Sequence, residues 1–280
     1  MRVAVATCAG DDVDVDSPLL LDALAGVGIT AELAVWDDPS VEWDRVDLTL
    51  VRSTWDYAPR RDEFLAWARA RRRIANRAEI LEYSTDKHYL ADLAARGHPV
   101  VPSHFCDRGE RPDVPDGPFV VKPTVGAGSI DVTRYRSDEV TAARAHVARL
   151  HAAGRDALIQ PYLESVDTRG EHALVFIGGA FSHAMTKGAM LNVDGGARTA
   201  LFRRERMSVT TPDPDARAVA ERVLADPRFD DLLYARVDLL ASDEGWLILE
   251  LELAEPSLFL THVPDAARRL ARAVRSTLEA

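Results

Sequence analysis

The strongest constraint on the fold is a pair of facing strand segments near the carboxyl terminus, in which charged residues alternate with aliphatic ones. The first segment runs over Tyr234–Leu240 and the second over Trp246–Leu253, and the turn sequence Ser-Asp-Glu-Gly lies between them. Successive side chains of a strand point to opposite faces. The pattern therefore predicts a two-stranded ribbon with one aliphatic face and one charged face.

The charged face carries Arg236 and Asp238 on the first strand and Glu250 and Glu252 on the second. Three carboxylates and one guanidinium are costly to bury unless something positive neutralises them, and hard oxygen ligands at this density suit Mg²⁺. The alternative is a solvent-facing charged stripe on an antiparallel sheet. No lysine is interleaved with the acidic residues, which favours the buried, metal-binding interpretation.

Composition limits the partners of the chain. With 280 residues, of which 47% are hydrophobic and 28% charged, it can bury a sizeable core divided into two or three lobes. The formal net charge of −11 argues against nucleic acid or an anionic membrane as the main partner. Cys8 and Cys106 form no metal pattern and no disulfide framework, which fits a cytoplasmic protein. No stretch is long enough to span a bilayer, and we expect a monomer or homodimer.

The first third of the chain alternates strands and helices, which predicts a small parallel sheet covered by helices. Ligands bind beyond the carboxyl ends of such strands, where Arg52, Thr54 and Asp56 lie near two aromatic residues. These side chains would recognise a small polar substrate. The alternative is that the aromatic residues of the loop only pack against the domain. The predicted strands are Arg2–Cys8, Thr30–Trp36, Leu48–Arg52 and Ile74–Asn76, and the predicted helices are one N-capped by Ser17 and one over Phe64–Arg72.

The middle and the end of the chain predict an α+β arrangement rather than a doubly wound sheet. Apolar runs predict the strands, and Gly97 with Pro99 beyond it predicts the end of the first helix. The predicted helices are Thr85–Arg96, Asp215–Leu224 and Asp265–Leu278, and the predicted strands before the charged ribbon are Phe119–Lys122, Ala157–Gln160, Ala173–Ile177 and Ala180–Met185.

Three lysines on separate elements are candidates for binding an anion. Lys122 ends an apolar strand just before a loop with Gly126 and Gly128, whose backbone amides suit phosphate. Lys87 lies at a helix start, where the macrodipole prefers anions, and Lys187 ends a hairpin strand. Each is ambiguous by itself, but together with the charged ribbon they supply what a nucleoside triphosphate with Mg²⁺ requires.

The order of these parts resembles the ATP-grasp superfamily from about residue 85 to residue 260. The motifs are Thr-Asp-Lys87, Val-Val-Lys122-Pro with its glycine loop, Gln160-Pro-Tyr-Leu163, Glu171, Lys187, Arg236-Val-Asp238 and Glu250-Leu-Glu252. The resemblance implies an ATP-grasp fold, α/β plus α+β, with an N-terminal Rossmann-like pre-ATP-grasp domain. Its divisions would be a substrate domain over residues 1–84, a central subdomain over 85–156 and a C-terminal subdomain over 157–280.

The resemblance also implies how ATP would be bound. Lys87 and Lys122 would contact the phosphates, Glu171 the ribose hydroxyls, and Lys187 the triphosphate. The remaining nucleotide contacts would come from a loop that closes over the phosphates and from a hinge that receives adenine. They are Gly126, Gly128 and Ser129 in the loop and Gln160, Tyr162 and Leu163 in the hinge.

Mg²⁺ would be held by Asp238, Glu250 and Glu252, while Arg236 and Lys187 would act at the reacting centre. Two departures from the superfamily pattern stand out. The last strand commonly reads Glu-x-Asn, whereas this chain reads Glu-x-Glu, which leaves the role of Glu252 open. The glycine loop is also leaner than usual.

The resemblance implies an ATP-dependent ligase that activates a small amino-acid-like carboxylate as an acyl phosphate and couples it to an amine. The alternatives are an intramolecular cyclo-ligase and a nucleotide-binding module without chemistry. The Ser-Thr-Trp-Asp-Tyr, Gln-Pro-Tyr-Leu and Glu-Leu-Ala-Glu-Pro-Ser-Leu-Phe-Leu stretches look similar to the group that contains the cyclo-ligase of cycloserine biosynthesis. Four arginines of the stretch Met190–Met207 would form a lid over an anionic ligand or remain solvated: Arg198, Arg203, Arg204 and Arg206.

Overall fold

The computed structural model of the protein describes residues 1–10, 14–188 and 207–280. The four arginines proposed as a lid lie outside the described residues. The described chain forms three sheets in sequence order, two of four strands and one of five. Within the described ranges, no helix is both long and apolar enough to cross a membrane.

The first sheet is parallel, as the alternation of strands and helices predicted, with strand order β2-β1-β3-β4. The strand β3 is buried along its whole length, as expected for a central strand covered on both faces. The elements are β1 (Arg2–Thr7), α1 (Ser17–Gly26), β2 (Thr30–Val35), β3 (Leu48–Ser53), α2 (Arg61–Arg69), β4 (Ile74–Ala75) and α3 (Ala78–Ser84).

The start of α1 differs from the prediction, because Asp16 rather than Ser17 is the N-cap residue. The Asp16 carboxylate does not cap the helix. It accepts hydrogen bonds from the backbone amides of Leu260 and Thr261, at 2.9 Å each. A distant contact thus uses the side chain that would otherwise cap the helix.

The predicted helix over residues 85–96 is wrong at its start. The structure has α3, which ends at Ser84, and a separate helix α4 (Tyr89–Ala95). Between them the backbone amide of Lys87 donates to the carbonyl of Thr124 at 2.9 Å. This long-range bond draws Lys87 out of helical geometry and places it beside the glycine loop.

The second sheet is antiparallel, with strand order β5-β8-β6-β7 and one covering helix. Its elements are β5 (His104–Cys106), β6 (Phe119–Pro123), β7 (Thr133–Tyr135), α5 (Val140–Ala152) and β8 (Ala157–Pro161). The strand β8 pairs with β5 and β6, so it belongs to this sheet although it follows the division predicted between residues 156 and 157. The predicted domain limits remain a prediction.

The third sheet has strand order β11-β10-β9-β12-β13, and the charged ribbon, formed by β12 and β13, is one edge of it. The helix α8 packs against α1, with Leu270 and Val274 in one core with Leu20 and Leu24. This contact joins the first sheet to the third. The elements are α6 (Ser165–Arg169), β9 (Glu171–Ile177), β10 (Ala180–Lys187), β11 (Met207–Thr210), α7 (Pro214–Leu224), β12 (Tyr234–Ser242), β13 (Gly245–Glu252) and α8 (Pro264–Glu279).

Candidate active site

The charged ribbon is antiparallel, as predicted, and its register places Arg236 opposite Glu252 and Asp238 opposite Glu250. Arg236 and Asp238 are buried, at 7% and 2% exposure, and Glu250 and Glu252 are half-buried. The alternative of a solvent-facing stripe is therefore wrong. The other face of the ribbon contributes Val237 and other aliphatic side chains to a hydrophobic core, which fixes which face the charges take.

Arg236 forms the centre of the buried charges. Its Nε and Nη2 donate to the two carboxylate oxygens of Asp238 at 2.8 and 2.9 Å, a bidentate pair. Nη2 also pairs with Glu252, and Nη1 donates to the carbonyl of Ser257 at 3.1 Å. Burial disfavours the charged guanidinium, but the carboxylates outweigh it, and the pKa of Arg236 is raised. The cation is thereby fixed in position.

Lys187 pairs with two carboxylates, Glu171 and Asp238, the latter at 3.2 Å. Burial raises the pKa of Glu171 to about 7 against the opposing charge of Lys187. Burial also acts on Asp238, but Arg236 and Lys187 outweigh it and lower its pKa. Asp238 thus stays ionised. Glu171, which was predicted to contact ribose, forms an ion pair with Lys187 in this structure.

Gly170 determines how closely β9 approaches Lys187. Its φ of 73° lies in the left-handed region, and a Cβ there would lie 2.7 Å from the carbonyl oxygen of Lys187. Any side chain at this position would displace the strand that carries the lysine.

Lys122 and Lys87 converge on the other carboxylate of the ribbon. Lys122 Nζ lies 2.6 Å from Glu250 Oε1, and Lys87 Nζ lies 3.9 Å from Glu250 Oε2. Burial disfavours the Glu250 anion, but the two lysines prevail and lower its pKa to about 2. Lys87 also donates to the carbonyl of Gly126 at 3.3 Å, so the glycine loop lies next to both lysines.

Gln160 is oriented by Ser103. The Ser103 hydroxyl donates to the carbonyl of Val101 at 2.8 Å and therefore accepts from Gln160 Nε2 at 2.9 Å. The amide nitrogen of Gln160 faces Ser103, and its Oε1 has no hydrogen-bond donor among the described residues, so it can accept from a ligand. Gln160 pairs with Val120 across β8 and β6, and both line the cavity described below.

The aromatic ring of Tyr162 is held in a fixed position near Gln160. Its hydroxyl donates to Asp167 at 2.6 Å, and the Arg134 guanidinium lies 3.5 Å from the centre of its ring. Arg134 also lies 3.8 Å from Asp167. These contacts fix the ring on one side, a geometry suited to stacking against a planar ligand on the other.

The cavity between the second and third sheets has a volume of about 310 Å³. It lies within the range of ligand pockets. The structure gathers all the residues predicted to bind nucleotide or metal, or to act at the reacting centre, around it. They are Lys87, Lys122, Gly126, Gly128, Ser129, Gln160, Tyr162, Leu163, Glu171, Lys187, Arg236, Asp238, Glu250 and Glu252.

The three predicted substrate residues are placed outside this lining. The Arg52 side chain is buried and donates from Nη2 to the carbonyl of Pro256 at 2.9 Å. Thr54 is buried as well, and the Asp56 carboxylate accepts from Trp36 Nε1 at 2.7 Å. Arg52 thus reaches across to the third sheet, and Asp56 packs within its own domain.

Residues Ala254–Leu258, which we name the clamped segment, follow the ribbon directly. Each of their five carbonyl oxygens lies within hydrogen-bond distance of a side-chain donor. In chain order the donors are Tyr234, Trp55, Arg52, Arg236 and His183, at 2.9, 3.2, 2.9, 3.1 and 3.0 Å. Arg52 lies in β3 and Trp55 in the loop after it, so the segment joins the first sheet to the ribbon.

Trp55, Tyr57 and Glu255 also line the cavity, although sequence reasoning did not select them as site residues. Tyr57 interacts with the Glu255 carboxylate. The signals in the sequence were the two aromatics of the loop after β3 and an acidic residue just beyond the ribbon. Neither signal reveals that these two regions, which are about 200 residues apart in sequence, meet in the structure.

The carboxylates of the ribbon fit Mg²⁺ by donor type, although here they are paired with cations. Among the residues that the structure describes, no three or more His, Cys, Asp or Glu side chains are gathered as a metal site. Mg²⁺ usually binds through one or two carboxylates together with phosphate oxygens and water. Asp238 and Glu250, which face each other across the ribbon, meet that requirement.

Comparisons with known proteins place this site in a family. Residues 3–77 match the family described as the N-terminal domain of D-cycloserine synthetase DcsG. The cycloserine biosynthesis protein DcsG of Streptomyces lavendulae is 41% identical over 95% of each chain. The crystal structure of D-cycloserine synthetase DcsG is similar with a TM-score of 0.90 and 39% identity, over 99% of this chain and 100% of that one.

The fold has more distant relatives. The D-alanine–D-alanine ligase of Bacillus anthracis complexed with ATP is 14% identical, with a TM-score of 0.68 over 99% of this chain and 97% of that one. The fold and the relatives together define the chain as an ATP-dependent ligase with the ATP-grasp fold. Within that class it belongs to the family of the cycloserine biosynthesis protein DcsG.

Proposed function

We propose that the protein is an intramolecular cyclo-ligase that closes a cycloserine-type ring in one amino-acid-like molecule at the expense of ATP. The observation that carries this proposal is the 41% identity with the cycloserine biosynthesis protein over 95% of both chains. Cycloserine is a five-membered ring in which a nitrogen on the side-chain oxygen of serine is acylated by the serine carboxyl group. One substrate therefore supplies both the carboxylate and the nucleophile.

The chemistry follows in two steps. The substrate carboxylate attacks the γ-phosphorus of ATP, ADP leaves, and an acyl phosphate forms. The nitrogen then attacks the acyl carbon, phosphate leaves, and the nitrogen loses a proton. Two anions meet in the first step, so the catalytic need is for cations, which Lys87, Lys122 and Lys187 supply at the cavity wall. Bound Mg²⁺ would add charge neutralisation at the phosphates.

Arg236 stabilises the charge that develops on the acyl oxygen in the second step. Its bidentate pair with Asp238 fixes the guanidinium before the substrate binds, so little reorganisation is needed. At the other end of the cavity, Gln160 and the ring of Tyr162 receive adenine. Asp238 and Glu250 would hold Mg²⁺, and the glycine loop would cover the phosphates.

The test is an ADP-release assay with single compounds and with pairs. We expect ADP release with a serine that carries a nitrogen on its side-chain oxygen, such as O-amino-D-serine, and no added amine. Mass spectrometry should detect D-cycloserine as the product. The Lys122→Ala variant, with its unfolding temperature measured, serves as the inactive control. ADP release that requires a second, amine-bearing compound would instead establish an intermolecular ligase.

A further inference from the structure

The charges around the cavity do not balance among the described residues. Five carboxylates line it, and four basic side chains line it. Four of the carboxylates lie within 4.0 Å of a lysine or arginine nitrogen. The fifth is Glu255, which has no ion-pair partner among the described lysines, arginines and histidines. A half-buried carboxylate without a cation is unfavourable, and it is expected where a ligand supplies the cation.

The surroundings of Glu255 are aromatic. Trp55, Tyr57 and Phe259 line the same cavity, and Tyr57 interacts with the Glu255 carboxylate. Aromatic faces attract organic cations, and an ammonium group requires only a few acceptors. Mg²⁺, in contrast, demands near-octahedral oxygen coordination and gives up its water reluctantly. An ammonium group on a small organic molecule therefore fits this wall better than a metal ion does.

The position of Glu255 is fixed relative to the reacting centre. Its carbonyl accepts from Trp55 Nε1 at 3.2 Å, while the carbonyl of Ser257, two residues further on, accepts from Arg236 Nη1 at 3.1 Å. One clamped segment thus connects the carboxylate with the guanidinium that serves the acyl carbon. An α-amino acid carries its ammonium group one carbon from its carboxyl group, so it needs such a pair of neighbouring subsites.

Resting on the ligase function above, we propose that Glu255, with Tyr57 and Trp55 beside it, binds the ammonium group of the substrate. The subsite selects amino acids over carboxylates that lack an amino group, and the ammonium remains free through ring closure. Burial, followed by the repulsion of Glu252, raises the pKa of Glu255 to about 8, as expected for a carboxyl group whose counter-ion is absent.

The experiment is isothermal titration calorimetry in the presence of ADP and Mg²⁺. The first pair of probes is D-cycloserine and isoxazolidin-3-one, the same ring without the amino group. The second pair is D-serine and D-glycerate, which differ by ammonium against hydroxyl. We expect the wild type to bind the amino member of each pair about tenfold more tightly, the effect of one charge-assisted contact. Glu255→Gln should reduce this preference to less than about twofold, and Glu255→Asp should retain part of it.

Glu244→Gln is the matched control, because Glu244 is an exposed glutamate in the turn of the ribbon. It should bind all four probes as the wild type does. An undiminished preference in Glu255→Gln would overturn the proposal. So would a higher Mg²⁺ requirement for ADP binding with the preference intact, which would make Glu255 a metal-binding residue.

The cyclo-ligase function can fail separately from the subsite. If the wild type prefers D-serine to D-glycerate but releases ADP only with an added amine, the ammonium subsite is supported and the intramolecular ring closure is refuted. If O-amino-D-serine alone yields D-cycloserine while the wild type binds both members of each pair equally, the ring closure is supported and the ammonium subsite is refuted.

Discussion

Replacing Glu255 by glutamine should stabilise the protein at alkaline pH. The pKa of Glu255 is raised from about 4.5 to about 8, first by burial and then by the repulsion of Glu252. The unfolded chain ionises this group near pH 4.5, whereas the folded chain keeps it protonated until about pH 8. The contribution of Glu255 to stability is therefore fully present below pH 4.5 and is lost as the pH rises toward 8.

The size of the effect follows from the shift. About 3.5 pH units at about 1.4 kcal/mol each give an upper value of about 5 kcal/mol at pH 9. Water in the cavity screens a partly exposed group, so we expect about 2–3 kcal/mol. Glutamine cannot ionise and avoids this loss.

The assay is urea unfolding of the wild type and Glu255→Gln from pH 5 to pH 9, without nucleotide. The two free energies of unfolding should agree within about 1 kcal/mol at pH 5 and diverge as the pH rises, the variant being the more stable. Glu244→Gln should follow the wild type throughout. Parallel curves for wild type and Glu255→Gln over the whole range would refute the reasoning. A variant that is more stable yet binds amino acids poorly would be a trade of stability for function.

Three further predictions test other parts of the structure. Lys122→Ala and Glu250→Gln should each lower ATP-dependent turnover at least about a hundredfold, about 3 kcal/mol in the barrier, with circular dichroism unchanged; near-normal turnover would exclude the assigned roles. Ser103→Ala should weaken discrimination between ATP and GTP about tenfold in kcat/KM, because Gln160 is then free to turn its amide; an unchanged ratio would separate Gln160 from base recognition. Asn76→Ala should reduce the free energy of unfolding by about 3 kcal/mol, since its buried side chain makes three hydrogen bonds to backbone groups; a loss below about 1 kcal/mol in urea would contradict this.

The ribbon was predictable because its information is local. Alternation with a period of two predicts which side chains of each strand share a face. The pairing of Asp238 with Glu250 also needs the bulge between Asp238 and Leu239, which shifts the register set by the turn and which the alternation does not reveal. The parallel first sheet was predictable for a similar reason, since strand and helix patterns alternate along the sequence. The family resemblance contributed what local patterns do not, namely that lysines on separate elements converge on the ribbon.

The elements that were missed depend on long-range contacts. The break before α4 arises from the bond between the Lys87 amide and the carbonyl of Thr124, and nothing near Lys87 in sequence indicates it. Arg52 was predicted to contact substrate because it lies at the end of a strand. Its guanidinium reaches Pro256, 204 residues away, a contact that the sequence does not indicate, and its substrate role remains a prediction. Glu255 lies in a stretch without regular structure, where periodicity carries no information.

The clamped segment has a consequence for which of its residues can be substituted. Its five anchors bind main-chain oxygens, which every amino acid possesses, so the joint between the domains is indifferent to the side chains of the residues that it holds. Three of those residues, Ala254, Glu255 and Ser257, line the cavity. Their side chains can therefore be exchanged to favour different ligands while the main-chain contacts that hold Arg236 in place persist.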